Sequence, residues 1–198
     1  MDFDHPPDDP VAQILAWLEE AKSSGLNDAN AMTLATADAR GRPSARTVLL
    51  KGLDQRGAVF YTNRLSRKGR ELAANPRAML LFHWDHSNRQ IRIEGAVSEM
   101  SAAESDAYFA TRDRASQIGA WASRQSEPLR SRAELMVEAA KYAARFGLGK
   151  VPRPPHWGGY RVALEHVEFW QGRTHRLHDR VVYSMGDQGA WTVQRLFP

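Results

Sequence analysis

A change in hydrophobic period, from about four to two, divides this chain near residue 30 and restricts it to folds built mainly of short strands. Before the change, Asp9 is placed to cap a helix with Pro10 in its first position. Val11, Ile14, Leu15 and Leu18 recur at helical spacing, and Gly25 follows the end. After it, five segments alternate: Ala31 to Ala37, Ser44 to Leu53, Ala58 to Thr62, Arg77 to Trp84 and Arg89 to Met100. The turn formers Asp38-Ala-Arg-Gly41, Asp54-Gln-Arg-Gly57 and Asp85-His-Ser-Asn88 separate them. The pattern predicts an antiparallel meander closed into a small barrel.

Helices interrupt and follow the strands. One short helix starts at Ser66 and stops at Asn75-Pro76, because the residue before a proline is pushed out of the helical region. Ser101-Ala-Ala-Glu104 and Ser131-Arg-Ala-Glu134 have capping-box spacing and predict two longer helices. The proline-rich Lys150 to Pro155 is a rigid connection, too near the end of the chain to separate two domains. Strands over Gly159 to Trp170, Arg180 to Met185 and Ala190 to Leu196, the last two joined by Gly186-Asp-Gln-Gly189, complete the sheet. Residues 1–198 therefore read as a single domain, mainly β with flanking helices (α+β), preceded by a flexible arm over residues 1–9.

Composition narrows the chemistry. The chain has no cysteine, which excludes disulfides, cysteine-ligated metals and thiol nucleophiles and matches a reducing cytoplasm. No apolar run approaches the roughly 20 residues of a membrane span, and the acidic start lacks the features of a signal peptide. The net charge is +4, and the basic residues are 22 arginines against five lysines. They are spread along the whole chain rather than gathered in a block with aromatics, which speaks against a nucleic-acid surface. Arginine forks match phosphate oxygens, so a phosphorylated small molecule fits, as does a plain set of solvated faces.

Four segments concentrate functional side chains. In Arg46-Thr-Val-Leu-Leu-Lys51 alternation sends Arg46 and Lys51 to opposite faces unless a bulge intervenes; the alternative is two charges snorkelling from a buried strand. Tyr61-Thr-Asn-Arg-Leu-Ser-Arg-Lys68 leads into a capped helix, where Thr62, Ser66, Arg67 and Lys68 are placed to hold one phosphate. The same residues also describe an ordinary capped helix with a solvated basic turn. Tyr108, Arg112 and Ser116 stand at i, i+4 spacing, on one helical face if the helix persists, with Gln125 and Ser126 beyond them. The densest run is Phe169-Trp-Gln-Gly-Arg-Thr-His-Arg-Leu-His-Asp-Arg180. As a strand it would project Arg176, His178 and Arg180 to one face. His175 and His178 suggest a metal, but no second ligand cluster exists, and no metal is expected. A single histidine serves equally as acid, base or hydrogen-bond donor.

In order and spacing, the series RTVLLKG, FYTNRLSRKGREL, NPRAMLLFHW, RQIRIEGAVSEMS, YFATRDRASQIGAWASRQS, PPHWGGYRV and EFWQGRTHRLHDR, with the terminal Arg195-Leu-Phe-Pro198, resembles the pyridoxine 5'-phosphate oxidase family. The likeness runs from about residue 10 to the end. It implies an FMN-binding split β-barrel of antiparallel Greek-key type, acting as a homodimer with FMN in clefts between subunits. Carried over by position, the FMN contacts begin with Arg46, Thr47, Val48, Leu49, Leu50 and Lys51. They continue with Tyr61, Thr62, Arg67 and Lys68, then Gln90, Gln125, Ser126, Trp170 and Arg180. The substrate phosphate falls to Lys51, Tyr108, Arg112 and Ser116, and the reacting end to Arg176, Leu177 and His178.

The implied reaction moves a hydride from C4' of pyridoxamine or pyridoxine 5'-phosphate to flavin N5, and oxygen then reoxidises the flavin to give hydrogen peroxide. Arg176 would cover the ring and His178 would handle a hydrogen bond or proton near C4', leaving the redox chemistry to the cofactor. The family commonly carries a longer basic-aromatic arm able to cover the site. Here only nine residues precede the first helix, so a lid contribution is in doubt. Two rival readings share the fold: a split-barrel oxidase or reductase with another substrate, and a non-catalytic flavin or pyridoxal phosphate carrier. Tyr108, Arg112 and Ser116 together with Arg176 and His178 speak against the first.

Overall fold

The protein is described over residues 1–198 by a computed structural model. Helix α1 (Pro10–Ser23) begins where Asp9 accepts the Val11 N–H at 2.8 Å, and it buries Ile14, Trp17 and Leu18. Leu15, expected on that face, is exposed, and Trp17 does its work. The strands are β1 (Ala31–Ala37), β2 (Pro43–Leu49), β3 (Gly52–Asp54), β4 (Gly57–Asn63), β5 (Arg77–Trp84) and β6 (Arg89–Glu99). After the helices come β7 (Trp157–Val162), β8 (His166–Gln171), β9 (Asp179–Met185) and β10 (Trp191–Arg195).

Every pairing is antiparallel, but the topology is not a plain meander. One path runs β10-β9-β8-β6-β5-β1-β2, while β4 leaves its sequence neighbour β5 to pair with β3 and β7. The two halves meet on β6, whose residues Arg89 to Glu94 pair with β8 and whose residues Val97 to Glu99 pair with β7. Gly95 stands at this corner. A Cβ there would fall inside the Ala163 carbonyl, so only glycine lets the backbone cross so closely. The result is a split barrel with outside helices, as the resemblance implied.

Three sequence expectations are corrected. The segment Ser44 to Leu53 is two strands, broken at Leu50 and Lys51, where the Leu50 N–H and C=O are both held by Asn30. Gly159 to Trp170 is likewise two strands, turned through Ala163 to Glu165. The two helices after β6 are three: α3 (Ala102–Thr111), α4 (Arg114–Ala122) and α5 (Arg132–Phe146). Ser101 and Glu104 form the reciprocal capping box, whereas at Ser131 the Glu134 carboxylate takes the Arg130 N–H instead. The short helix α2 (Arg67–Ala74) lies where Ser66 and Pro76 placed it.

The core is aromatic at its centre. Phe169 is fully buried, edge-on to Trp17 at 5.3 Å and to Tyr183 at 5.7 Å, and so fastens α1 to the sheet. Phe169→Ala is expected to cost about 3–5 kcal/mol, read as a lower urea midpoint with an unchanged m-value. Residues 1–9, expected as a free arm, are packed: Phe3 is buried beside Trp17, Asp4 pairs with Arg195, and Tyr183 donates to the Pro7 carbonyl at 2.8 Å. No helix is long and apolar enough to cross a membrane.

Candidate functional site

A cavity of about 1020 Å³ opens between β2, the end of β4, the start of α2 and the α3–α4 region. Arg46, Thr47, Val48, Leu49 and Lys51 line it. The strand break explains how Arg46 and Lys51 reach one space: strict alternation ends at Leu49, and the Lys51 N–H is redirected to the Val59 carbonyl at 2.8 Å. Leu50 is the exception in that series, turned into the core at 9% exposure.

At one end of the cavity the cations are densely braced. Lys68 is buried, and its Nζ donates to Thr62 Oγ1 at 3.1 Å and to Gln125 Oε1 at 3.2 Å. Burial, and then the Arg46 charge, pull Lys68 down to about 8 against the opposing pull of Glu71. Ser126, itself at φ 75°, accepts the Arg67 N–H at 3.1 Å. Behind these groups Glu71 is buried and receives Thr36 Oγ1 at 2.5 Å, Ser44 Oγ at 2.6 Å, Arg67 Nε at 2.8 Å and Arg46 Nη2 at 3.2 Å. Burial alone would raise the carboxyl, but the bonds from Ser44, Thr36, Arg67 and Arg46 outweigh it and hold it down to about 2. The solvated basic turn considered for this segment is thus replaced by an interlocked one in which Ser66, Lys68 and Glu71 are buried and Arg67 stays exposed.

The other end is aromatic. Tyr61, Tyr108 and Trp157 stack nearly parallel, with centroids 4.0 Å apart for Tyr61–Tyr108 and 5.4 Å for Tyr61–Trp157. Arg112 lies 4.8 Å over Trp157, and its Nη1 is buried with no hydrogen-bond partner. An arginine held by a π face rather than by a carboxylate keeps its donors for an anion. Tyr108, Arg112 and Ser116 do not share one helical face: α3 ends at Thr111, Arg112 is extended, and Asp113 restarts the chain as α4 by accepting the Ser116 N–H at 2.8 Å. The break nevertheless leaves all three lining the same cavity.

The remaining candidates form a second group that does not line this cavity. Gln90, Trp170 and Arg180 are direct cross-strand partners on β6, β8 and β9, and so share one face of the sheet. His178 packs on Trp170 at 4.7 Å, and its Nδ1 accepts the Arg173 N–H at 3.1 Å, leaving Nε2 as the free nitrogen. Arg180 is clamped by buried Glu168 at 2.8 and 3.2 Å. No strand runs through Arg176 and His178, so the shared face that a strand would have given them with Arg180 does not form: Thr174–Arg176 is a 3-10 turn in which His175 and Arg176 adopt φ 56° and 62°. Such left-handed backbone at non-glycine residues is costly and collects at functional sites. Arg176 and Leu177 are exposed there. No group of three or more His, Cys, Asp or Glu side chains is gathered to hold a metal ion.

Sequence reasoning passed over Glu71, Ser44 and Trp157. Glu71 had a signal, its i, i+4 spacing from Arg67. The role of Ser44 depends on a partner 27 residues away, and that of Trp157 on a stack across three elements, neither of which spacing reveals.

Sheet and lining together define a split-barrel protein with a cavity lined by Arg46, Lys51, Arg67, Lys68 and Arg112. Residues 18–146 match the family profile described as pyridoxamine 5'-phosphate oxidase, and residues 157–198 match the pyridoxine 5'-phosphate oxidase C-terminal dimerisation region. A pyridoxine/pyridoxamine 5'-phosphate oxidase of Rubrobacter xylanophilus is 59% identical over 190 residues, covering 96% of this chain and 87% of the relative; one from Caulobacter vibrioides is 56% identical over 191 residues, covering 96% and 86%. Among solved structures, PhzG from Burkholderia lata, in complex with tetrahydrophenazine-1-carboxylic acid, superposes with a TM-score of 0.92 at 35% identity, covering 99% of this chain and 96% of that one. A pyridoxamine 5'-phosphate oxidase-related FMN-binding protein of Nostoc punctiforme, at TM-score 0.77 and 18% identity over 94% and 96% of the two chains, shares the fold. The chain belongs to the pyridoxamine 5'-phosphate oxidase family.

Proposed function

We propose that this protein binds FMN and uses oxygen to oxidise pyridoxamine 5'-phosphate or pyridoxine 5'-phosphate to pyridoxal 5'-phosphate, releasing hydrogen peroxide and, from the amine, ammonia. The observation that carries the reading is a single cavity lined by two differently held groups of cations, one braced by Glu71 and one backed by Trp157. Two phosphorylated ligands side by side need such a pair. FMN, when bound, supplies the hydride acceptor and the reaction with oxygen. Arg46, Arg67, Lys68, Thr62 and Ser126 fit its phosphate as a donor set, and the unpartnered Arg112 Nη1, with Lys51, Tyr108 and Ser116, fits that of the substrate.

The group formed by Gln90, Trp170, Arg176, Leu177, His178 and Arg180 completes the site from a second copy. Its place outside the cavity and the dimerisation profile over residues 157–198 both support this reading. Arg176 then covers the substrate ring, and His178 offers Nε2 near the reacting carbon, its other nitrogen being fixed by Arg173. The setting is the reducing cytoplasm that a cysteine-free chain fits, and the role is vitamin B6 salvage and pyridoxal phosphate supply.

The test is aerobic turnover: purified protein with FMN and pyridoxamine 5'-phosphate should form pyridoxal 5'-phosphate and peroxide in equal amounts. Bound flavin without peroxide would leave a carrier. A second reading, oxidation of an unphosphorylated aromatic acid, draws on the close superposition with PhzG; activity on such an acid with none on the phosphates would replace the first. Lys68 adds a pH signature. An anion favours the charged lysine, which is present below about 8, so FMN affinity should hold near neutrality and fall by up to about tenfold per pH unit above that value. Lys68→Met should bind more weakly and flatten the profile; a wild-type affinity unchanged between pH 7 and about 9.5 would contradict the assignment.

A further inference from the structure

We propose that Glu71 is a positioning residue for the cofactor's phosphate: from behind the cavity it sets the geometry of Arg46 and Arg67 and trims the cradle's charge to that of a phosphate monoester. The inference rests on the FMN reading above. A buried carboxylate beside an anion site needs explanation, because by charge alone it repels the ligand. Here it lies beneath the cradle, bonded to Arg67 Nε at 2.8 Å and to Arg46 Nη2 at 3.2 Å. Two hydroxyls, Thr36 and Ser44, donate to it at 2.5 and 2.6 Å, and each also receives Arg46, Thr36 Oγ1 from Nη1 at 2.5 Å and Ser44 from Nη2.

Every fixed group in this network constrains a guanidinium that would otherwise sample many rotamers. Arg46, Arg67 and Lys68 supply three positive charges and Glu71 removes one, leaving +2. A phosphate monoester carries about −1.5 to −2 at neutral pH, so the balance is matched to it. Without Glu71 the cradle would hold more charge but less order. The inference commits to order as the larger effect.

The experiment compares FMN with riboflavin, which shares the ring and lacks the phosphate, by quenching of flavin fluorescence on titration of the full-length flavin-free protein. Glu71→Gln is expected to weaken FMN by about tenfold or more while riboflavin stays within about twofold, since only phosphate contacts are disturbed. Glu71→Asp, which keeps the charge, should recover part of the loss. FMN binding in Glu71→Gln equal to or tighter than wild type would overturn the inference, and so would equal losses for both flavins, which would mark a merely structural role. If Glu71→Gln does not fold, Ser44→Ala, at a half-buried position, decides by the same two readings, with about threefold expected for FMN alone. A wild type that fails to prefer FMN over riboflavin would overturn the functional reading together with this one, whereas a preference retained in the variants overturns this one alone.

Discussion

Replacing Arg176 and His178 together by alanine is expected to lower kcat/KM for pyridoxamine 5'-phosphate by about a thousandfold while FMN remains bound. Arg176 is held at φ 62° in an exposed 3-10 turn, and no packing need explains that backbone cost. His178 is oriented by the Arg173 N–H on Nδ1 and by Trp170 beneath its ring, an arrangement that fixes which nitrogen is offered to a ligand. Single variants separate the two roles: Arg176→Ala should act on both KM and kcat by loosening the substrate ring, and His178→Asn mainly on kcat. Full turnover in both single alanine variants would remove these residues from the reaction.

Arg112→Ala should raise KM for pyridoxamine 5'-phosphate by about a hundredfold, the equivalent of losing roughly 3 kcal/mol of charge-assisted bonding, with FMN affinity unchanged. The size of the effect follows from the way Arg112 is held. No carboxylate is in direct ion-pair contact with it, its Nη1 has no partner, and the Trp157 face 4.8 Å away supports the cation without consuming its donors. Arg67, by contrast, has Glu71 at 2.8 Å. Trp157→Phe, which keeps a weaker π face, should give a smaller rise in KM of about three- to tenfold. Steady-state kinetics at fixed flavin saturation read both, and an unchanged KM in Arg112→Ala would place the substrate phosphate elsewhere.

Local signals were read well and those that depend on distant contacts were not. β1 and β5 have the bounds that alternation predicted, and α2 starts and stops at Ser66 and Pro76, because turn chemistry and a cap act within a few residues. The helix break at Arg112 was hidden because i, i+4 spacing continues through it; Asp113, a ready cap, was the available sign. The turn at His175 and Arg176 could not be told from the strand that would have aligned Arg176, His178 and Arg180, because nothing in the sequence announces two consecutive left-handed residues without glycine. Residues 1–9 looked free because Phe3 finds its partner in Trp17, and Asp4 finds its own 191 residues along, at Arg195. Most of the cavity lining followed from the resemblance, yet neither resemblance nor spacing showed that Gln90, Trp170 and Arg180 align across three strands away from it.

That separation can be tested with a mixed dimer, purified with two affinity tags, in which one subunit carries Arg112→Ala and the other Arg176→Ala. If each reaction site takes Arg112 from one copy and Arg176 from the other, one of the two sites is intact and the other carries both lesions. With substrate at or below the wild-type KM, the mixed dimer should then form pyridoxal 5'-phosphate and peroxide at about half the wild-type rate, although each parent dimer is nearly inactive under the same conditions. A mixed dimer as inactive as its parents would show that both residues serve a site within one chain, and would contradict the shared-site mechanism.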